Sequence, residues 1–386
     1  MRKKEIKKVV KESYAKIIRQ GSSCRGPVNS SSGAGAALPA VDRKPWIVGE
    51  VSTSVGTVPR VATRLDGADR LGAVRVRLGL RRMRYAVEPG LYGVGSPTAA
   101  SPVFVSANYK LSFDHLRREL EGINGWIMVI DTKGINVWCA ASKGTFGTEE
   151  IVHRIEITRL SEIVSHRQII VPQLGAPGVA AHEVRHRSSF RVIYGPVRAR
   201  DIPEFLNAGM KTSTDMRRVL FNIGDRLVLV PMELVQWGRY TFLIAVVLFL
   251  LTGLSRNGYV FPGLAGGREV LLLFLAFLAG GALVPAFLPW LPGRALSWKG
   301  MVMGLLLAAV LIIVGLIPSA RIAGQLETAA WVLLMPTIGA FMAMNFTGAT
   351  TYTSLSGVKK EMRFAVPLQS VAALLGFALW MIARFF

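Results

Sequence analysis

Five long apolar segments dominate residues 237–386 of the sequence and limit the fold more than any other feature. Four of the five carry no charged residue, and the first has only Arg239 near its start. Each approaches the ~20 residues that an α-helix needs to cross a ~30 Å hydrocarbon core. Soluble core helices are rarely apolar on every face over this length, so we predict an all-α transmembrane domain over residues 237–386. Its five helices are expected at about residues 237–254, 270–291, 300–318, 329–346 and 364–383.

The short loops between these segments predict an orientation. If the amino-terminal part lies inside, five basic residues fall in internal loops and three in external ones. Loops on the cytoplasmic side usually carry the excess of Lys and Arg. We therefore expect a multi-pass protein of the cytoplasmic membrane, with residues before 237 in the cytoplasm. The internal residues are Arg294, Lys299, Lys359, Lys360 and Arg363, and the external ones are Arg256, Arg268 and Arg321.

The part of the chain before the apolar segments is strongly basic. After Gln236 there are 10 Lys/Arg and 3 Asp/Glu, so residues 1–236 carry about +15 of the total charge of +22. Such a domain can face anionic membrane lipid, or attract an acidic partner or a polyanion such as a folate polyglutamate. Nucleic acid is not an expected partner, because no helix-turn-helix, zinc-finger or RNA-binding aromatic signature accompanies the charge.

Residues 1–45 differ from the rest of this basic part. Apolar residues recur at helical spacing over residues 1–20 with lysines on the other faces, which predicts a basic amphipathic helix. It could be a membrane-surface or partner-docking element, or a solvated terminal helix. Residues 21–41 are rich in Ser, Gly and Ala and are typical of a flexible linker, which contains Cys24.

Residues 46–236 alternate short apolar runs with helical patterns. This alternation predicts an α/β fold, Rossmann-like, with a largely parallel sheet and ligands at the carboxyl ends of its strands. Three glycines at positions 90, 93 and 95 do not complete a phosphate-binding loop and are interpreted as a turn. The predicted strands are 126–131, 135–139, 168–172 and 190–194, and the predicted helices are 148–160, 180–187 and 201–209.

Cys139 is the residue of greatest chemical interest. It ends the predicted strand 135–139 and is followed by Ala-Ala-Ser-Lys-Gly, small residues that let a bulky ligand approach the backbone. A short helix after it, together with Lys143, would favour the thiolate form. A thiolate is a good ligand for a soft metal. The alternative is an inert buried cysteine that fills a gap in the core.

The segment around Cys139 has a specific resemblance. Residues 136–147, NVWCAASKGTFG, resemble the signature of the mercury-methylating corrinoid proteins, relatives of the corrinoid iron–sulfur protein of the acetyl-CoA pathway. The similarity is expected to span about residues 45–386, including the five apolar segments. Other resembling segments are 87–91, 101–114, 171–184, 194–209 and 345–363.

The resemblance implies a corrinoid-dependent methyltransferase with cobalamin or a related corrinoid as its cofactor. Cys139 would be the catalytic residue and the axial cobalt ligand, on a short helix that caps the lower face of the corrin. The remaining cofactor contacts that it implies are Asn136, Val137, Trp138, Ala140, Ala141, Ser142, Lys143, Gly144, Thr145, Phe146, Gln173, Leu174, Gly175 and Ala176.

The resemblance also implies partners. The methyl donor would be of the methyltetrahydrofolate type, the acceptor would be inorganic Hg(II), and electrons would come from a ferredoxin-like protein with two [4Fe-4S] clusters. The sequence contains no Asp-x-His-x-x-Gly motif for histidine ligation and no cysteine cluster for an iron–sulfur centre of its own.

Two other functions remain open. One is a membrane-anchored corrinoid protein of one-carbon metabolism or cofactor handling that does not methylate mercury. The other is a transporter with a regulatory domain, which we disfavour because the apolar segments contain almost no charge.

Several positions qualify this interpretation. Ser142 stands where the family usually has glycine, and serine there could strain the backbone or crowd the corrin unless the position is helical. His182 and His186 are one helical turn apart without a third ligand, so a solvated face is expected. A polar run at the end of the fourth apolar segment either lines a path or satisfies helix ends. That run consists of Asn345, Thr347, Thr350, Thr351 and Thr353.

Overall fold

The computed structural model describes residues 44–346 and 355–386. They form two compact units, residues 44–74 with 81–218 and residues 75–80 with 219–386. The predicted amphipathic helix, the linker and Cys24 lie outside the described residues, as do the four threonines of the polar run. Asn345 is described, and its side-chain amide donates to the carbonyl of Phe341 at 2.9 Å, so it satisfies the end of its own helix.

The first unit is built on a seven-stranded mixed sheet in the order β1-β2-β3-β5-β4-β6-β7. Strands β5, β4, β6 and β7 are parallel to one another, whereas β3 is antiparallel to β5 and β1 is antiparallel to β2. The predicted α/β class is confirmed, with parallel pairing concentrated in one half of the sheet. The strands are β1 (Ile47–Thr53), β2 (Gly56–Val61), β3 (Gly90–Val94), β4 (Val103–Ala107), β5 (Gly125–Ile130), β6 (Gln168–Val171) and β7 (Arg191–Tyr194).

Helices cover both faces of this sheet. Every residue of β5 is buried, which explains its continuous apolar sequence. Met128 and Ile130 pack with α3 to α6 on one face, and Ile127 and Val129 pack with α2 and α7 on the other. The helices are α1 (Gly67–Arg77), α2 (Lys110–Glu119), α3 (Val137–Lys143), α4 (Thr148–Ile157), α5 (Leu160–Ile163), α6 (Ala181–Ser188) and α7 (Ile202–Asn207).

Two predicted elements of this unit are wrong. The run from Ile135 to Cys139 is not a strand, because residues from Val137 onward form helix α3 with Asn136 as its N-cap. A short apolar run fits either element, and here the capping amide decides for a helix. The segment from Gly90 to Gly95 is not simply a turn: residues 90–94 form β3, and only Gly95, with φ of 67°, turns the chain.

The second unit contains five helices that are long and apolar enough to cross a membrane, as predicted. They extend over residues 223–251, 263–287, 296–313, 321–345 and 357–385. All five observed helices begin several residues before the predicted ones. The reason is that charged residues such as Arg321 and Lys360 lie within the helices and not in loops. The individual elements are α8 (Ile223–Leu227), α9 (Val230–Leu251), α10 (Gly263–Leu278), α11 (Val284–Phe287), α12 (Leu296–Ile313), α13 (Arg321–Asn345) and α14 (Leu355–Ala383).

Two buried cationic side chains donate hydrogen bonds to backbone carbonyls at and just after the C-terminal end of the second helix, residues 263–287. Arg226 donates to the carbonyls of Pro285 and Ala286 at 3.1 and 2.7 Å. Lys299 donates to the carbonyls of Leu288 and Leu291 at 2.8 and 2.5 Å. Carbonyl groups at a helix end have no partner within the helix, so these side chains satisfy groups that would be costly to bury alone.

A second ionic network lies among α10, α13 and α14, and it contradicts the expectation that buried charge is almost absent here. Glu269 accepts hydrogen bonds from Trp331 at 2.9 Å and Trp380 at 2.7 Å. Arg268 donates to both Glu269 and Glu327, and Arg384 donates to Glu327 at 2.8 Å. Two carboxylates and two guanidiniums balance in charge, so these hydrogen bonds join the helices without burying a net charge. Absence of buried charge therefore does not speak against a transporter.

Small residues allow α12 and α13 to approach closely. A Cβ atom added to Gly304 would lie 2.5 Å from Pro336 Cα, and one added to Gly300 would lie 2.3 Å from the carbonyl oxygen of Gly339. These neighbours are backbone atoms that cannot rotate away. This small-xxx-small spacing is a common way to bring two membrane helices together.

Replacement of Gly304 by valine is therefore expected to destabilise the second unit by about 1–3 kcal/mol or more through overpacking. The thermal unfolding midpoint of the full chain in detergent measures this. The control is Gly267→Val, since a Cβ at Gly267 meets nothing within 4 Å. Equal midpoints for the two variants would contradict the close approach.

Candidate functional site

The candidate site lies at the carboxyl edge of the parallel strands. The chain leaves β4 for β5 on one side, whereas β6 is followed by β7 on the other side, so the direction of connection reverses between β4 and β6. In α/β sheets, ligands bind outside the strand ends at such a reversal. The segments that reach this edge begin at Asn108, Asp131 and Pro172.

Asn108, directly after β4, organises the loop that leads to Cys139. Its side-chain oxygen accepts from the backbone N–H of Thr132 at 3.1 Å, the Thr132 hydroxyl at 2.8 Å and the N–H of Gly134 at 2.9 Å. Its amide nitrogen donates to Asp131 at 3.1 Å. Asn108 and Thr132 are buried. We did not predict either residue from the sequence, although a polar side chain directly after an apolar strand was an available signal.

Asp131 adds charged contacts to the same loop. Its carboxylate accepts from the backbone N–H and the ammonium of Lys133 at 2.9 and 2.5 Å, and its own N–H donates to Glu150 at 2.9 Å. Partial burial acts to raise the pKa of Asp131, but the hydrogen bonds from Lys133 outweigh it and hold the pKa below its ordinary value. Asp131 is therefore ionised at neutral pH and closes the turn before α3.

Helix α3 carries Cys139 in its first turn. The Asn136 side-chain oxygen accepts from the Cys139 backbone N–H at 2.9 Å, so the N-cap holds this residue directly. Gly144 ends the helix with φ of 78°, a conformation that favours glycine. Ala140 and Ala141 face the sheet and are buried, whereas Cys139 is only partly buried and Trp138 is exposed. The thiol therefore lies on the side of α3 that a ligand can reach.

The second predicted cofactor segment packs against this helix. Residues 173–178 form a 3-10 helix, and Gly178 approaches Ala141 so closely that an added Cβ would lie 3.1 Å from its Cα. At Gly175 an added Cβ would lie 2.4 Å from the Phe146 ring. The Tyr194 hydroxyl donates to the Val179 carbonyl at 2.8 Å, and burial raises the pKa of Tyr194, so it remains a donor. The structure thus brings the two predicted segments together.

The predicted site residues differ in their access to solvent. Four are buried and support the segment from within: Ala140, Ala141, Phe146 and Gly175. Seven are partly buried: Asn136, Val137, Cys139, Thr145, Gln173, Leu174 and Ala176. Four are exposed: Trp138, Ser142, Lys143 and Gly144.

Ser142 occupies a helical position on α3. Its hydroxyl donates to the carbonyl of Trp138 at 3.2 Å, one turn earlier, and its side chain is exposed. The residue does not have a positive φ. Serine therefore causes no backbone strain where the family usually has glycine.

Cys139 could hold a corrinoid cobalt, because its sulfur is a soft donor and its side chain is only partly buried. Among residues 44–346 and 355–386, no group of three His, Cys, Asp or Glu side chains could hold a metal by itself. His182 and His186 lie on the exposed face of α6, as predicted.

Comparison with known proteins relates this unit to acetyl-CoA pathway proteins. Residues 80–206 match the family described as CO dehydrogenase/acetyl-CoA synthase delta subunit. The chain is 34% identical over 122 residues to acetyl-CoA decarbonylase/synthase complex subunit gamma of Methanopyrus kandleri, covering 31% of this chain and 26% of that protein. It is 30% identical over 126 residues to the corrinoid/iron–sulfur protein large subunit of Moorella thermoacetica, covering 32% and 28%.

The similarity is partial. The chain spans about a quarter of the length of these relatives. The family match covers residues 80–206, a shorter range than the expected 45–386, and does not include the apolar helices. This segment of the chain is thus similar to the corrinoid/iron–sulfur protein large subunit.

Removal of the Asn108 side chain tests the scaffold of the site. Asn108→Ala leaves the backbone N–H groups of Thr132 and Gly134 without their acceptor, so we expect about 1–3 kcal/mol of destabilisation. Thermal unfolding of the full chain measures it. The control is Asn124→Ala, since Asn124 accepts one exposed hydrogen bond, from the Ser96 N–H at 2.9 Å. If Asn108→Ala were no more harmful than the control, Asn108 would not organise the loop.

Proposed function

We propose that this chain is a membrane-anchored corrinoid methyltransferase in which the Cys139 thiolate is the axial ligand of cobalt and inorganic Hg(II) receives the methyl group. The observation that supports it best is the placement of Cys139. Its side chain is partly exposed on a capped helix at the carboxyl edge of the sheet, in a domain related to a corrinoid/iron–sulfur protein.

Each residue of the site has a defined task in this proposal. Cys139 Sγ would hold the cobalt as a thiolate, the form of cysteine that binds metals. Asn136 fixes the backbone of Cys139 and so limits the directions in which the sulfur can point. The exposed indole of Trp138, the preceding residue of α3, offers an apolar surface. When bound, a corrinoid supplies the cobalt that carries the methyl group from donor to acceptor.

The surrounding segments keep the ligand side rigid. Gly178 and Ala141 pack closely, and the Thr148 hydroxyl accepts from the Ala180 N–H at 2.9 Å, which joins the starts of α4 and α6. A rigid support favours tight binding because little conformational entropy is lost when the ligand arrives. Gln173 and Leu174 are partly exposed next to this support and are the proposed further contacts.

The proposed partners are those that the resemblance implies. Among the described residues Cys139 is the sole cysteine, which is consistent with an electron donor that is a separate protein. We propose a ferredoxin-like donor with two [4Fe-4S] clusters, a methyltetrahydrofolate-type methyl donor, and placement of the α/β domain on the cytoplasmic side of the membrane. The excess of Lys and Arg near the helix ends on that side, five against three, supports this orientation.

A second candidate function is a corrinoid protein of one-carbon metabolism that does not methylate mercury. The names of the relatives favour it, because they are acetyl-CoA decarbonylase/synthase subunits and a corrinoid/iron–sulfur protein. Both candidates use the same axial ligand and differ in the methyl acceptor.

Variants of Cys139 test the ligand. Cys139→Ala is expected to lose methyl transfer at least 100-fold, and Cys139→His is expected to retain part of the bound corrinoid, as judged from its visible absorption spectrum. Ser370→Ala is the control, because its hydroxyl likewise donates to the carbonyl one turn earlier and the residue lies outside the site. Wild-type methyl transfer by Cys139→Ala would refute the role of the thiolate.

An acceptor assay separates the two candidates. Purified protein loaded with methylcobalamin and supplied with a reduced ferredoxin should form methylmercury from Hg(II). Mass spectrometry quantifies the methylmercury. Bound corrinoid without methylmercury, together with methyl return to tetrahydrofolate, would exclude mercury methylation and support the one-carbon alternative.

A further inference from the structure

An open cleft of about 1040 Å³ lies in the second unit between α12 and α14, with Ala340 of α13 also contributing to its lining. Its position is at the bundle end where α12 begins and where α14 begins. No residue of the candidate corrinoid site contributes to it. The cleft is as large as many cofactor pockets.

The walls of the cleft change in polarity with depth along the helices. Arg294 and Lys360 lie at its mouth, near the start of each helix. One to two turns further on, Met301, Phe364 and Leu368 make the walls apolar. A ligand that matches this gradient has an anionic end and a long apolar tail.

The two cationic side chains at the mouth of the cleft are free to bind an anionic group. Arg294 and Lys360 are exposed and have no hydrogen-bond or ion-pair partner among residues 44–346 and 355–386. Glu361 is the one acid in the lining, and its carboxylate accepts the Ser297 backbone N–H at 2.5 Å, which ties α14 to the first turn of α12. The mouth therefore keeps a net positive charge.

Aromatic residues border the same region. The side chains of Trp298 and Phe364 line the cleft, yet both are at least half exposed. Tryptophan is enriched where a membrane meets water, because its ring is apolar and its N–H is polar. Their exposure is understandable if lipid covers them.

We propose that this cleft is a binding site for one anionic diacyl phospholipid. The phosphate faces Arg294 and Lys360, and an acyl chain extends along Phe364 and Leu368. Basic pockets between membrane helices at the cytoplasmic surface are suited to anionic headgroups. The inference rests on membrane insertion of the five helices and is independent of the corrinoid chemistry.

The combination of cations and apolar walls in the cleft favours a lipid over other ligands. A free phosphate would use the two cations but leave the apolar walls at Met301 and Leu368 uncovered. A helix from a second copy would bring its own apolar face but no anion for Arg294 and Lys360. A phospholipid satisfies both parts of the cleft.

Native mass spectrometry of the full chain tests the proposal. Protein released from nanodiscs of equal phosphatidylglycerol and phosphatidylcholine should retain one phosphatidylglycerol molecule. Arg294→Gln with Lys360→Gln should reduce its retention about 10- to 30-fold, since each cation near the membrane contributes about 1 kcal/mol. Lys359→Gln with Arg363→Gln is the matched control, because it removes the same charge from exposed residues of the same region that do not line the cleft.

A third variant tests the apolar part with the charges intact. Leu368 is 66% exposed, so Leu368→Trp should fold normally while its larger ring fills the deep part of the cleft. We expect it to lose the lipid as the double variant does. Methyl transfer serves as an independent readout, so failure of the lipid site and failure of the proposed function are distinguishable.

Four outcomes would overturn the proposal. The first three are no preference for phosphatidylglycerol in the wild type, equal loss in the double variant and its matched control, and a dimer mass in place of bound lipid. Displacement of retained lipid by inorganic phosphate at millimolar concentration, with Leu368→Trp unaffected, would identify a simple anion site and would also overturn it.

Discussion

The hydrogen bonds of one buried asparagine determine where the candidate catalytic cysteine lies. Asn108 directly follows β4, and its side chain contacts Asp131, Thr132 and Gly134 in the loop after the neighbouring strand β5. Two residues later, Asn136 caps α3 and accepts a hydrogen bond from the Cys139 backbone N–H. Loss of the first amide would remove the hydrogen bonds that hold this loop. Two amide side chains thus connect the sheet to Cys139.

The α/β class of the first unit and the five apolar helices of the second could be predicted from the sequence for physical reasons. Long charge-free segments have few alternatives to membrane-type helices, and fully buried parallel strands require continuous apolar runs such as residues 125–130. The segment before Cys139 was predicted wrongly because Ile135–Cys139 is short and apolar and fits a strand as well as a helix. The N-cap residue Asn136 is the local feature of the sequence that favours the helix over the strand.

Other features could not be predicted because they depend on residues far apart in the chain. The bonds of Asn108 join positions 23 to 26 residues apart, and Glu269 meets Trp380 111 residues later. Neither pairing leaves a local signal. The predicted starts of the membrane-type helices are too late for a different, local reason. Lys360 and Arg321 interrupt the hydropathy pattern, although Lys360 lies inside a helix and Arg321 is the first residue of one.

The central claim is that Cys139 sulfur binds the cobalt of a corrinoid. X-ray absorption at the cobalt K-edge of the corrinoid-loaded full chain tests it most directly. One sulfur neighbour at bonding distance is expected in the wild type and in Ser142→Ala, replaced by a nitrogen or oxygen neighbour in Cys139→Ala. A cobalt without a sulfur neighbour in the wild type, or with one that persists in Cys139→Ala, would contradict the account.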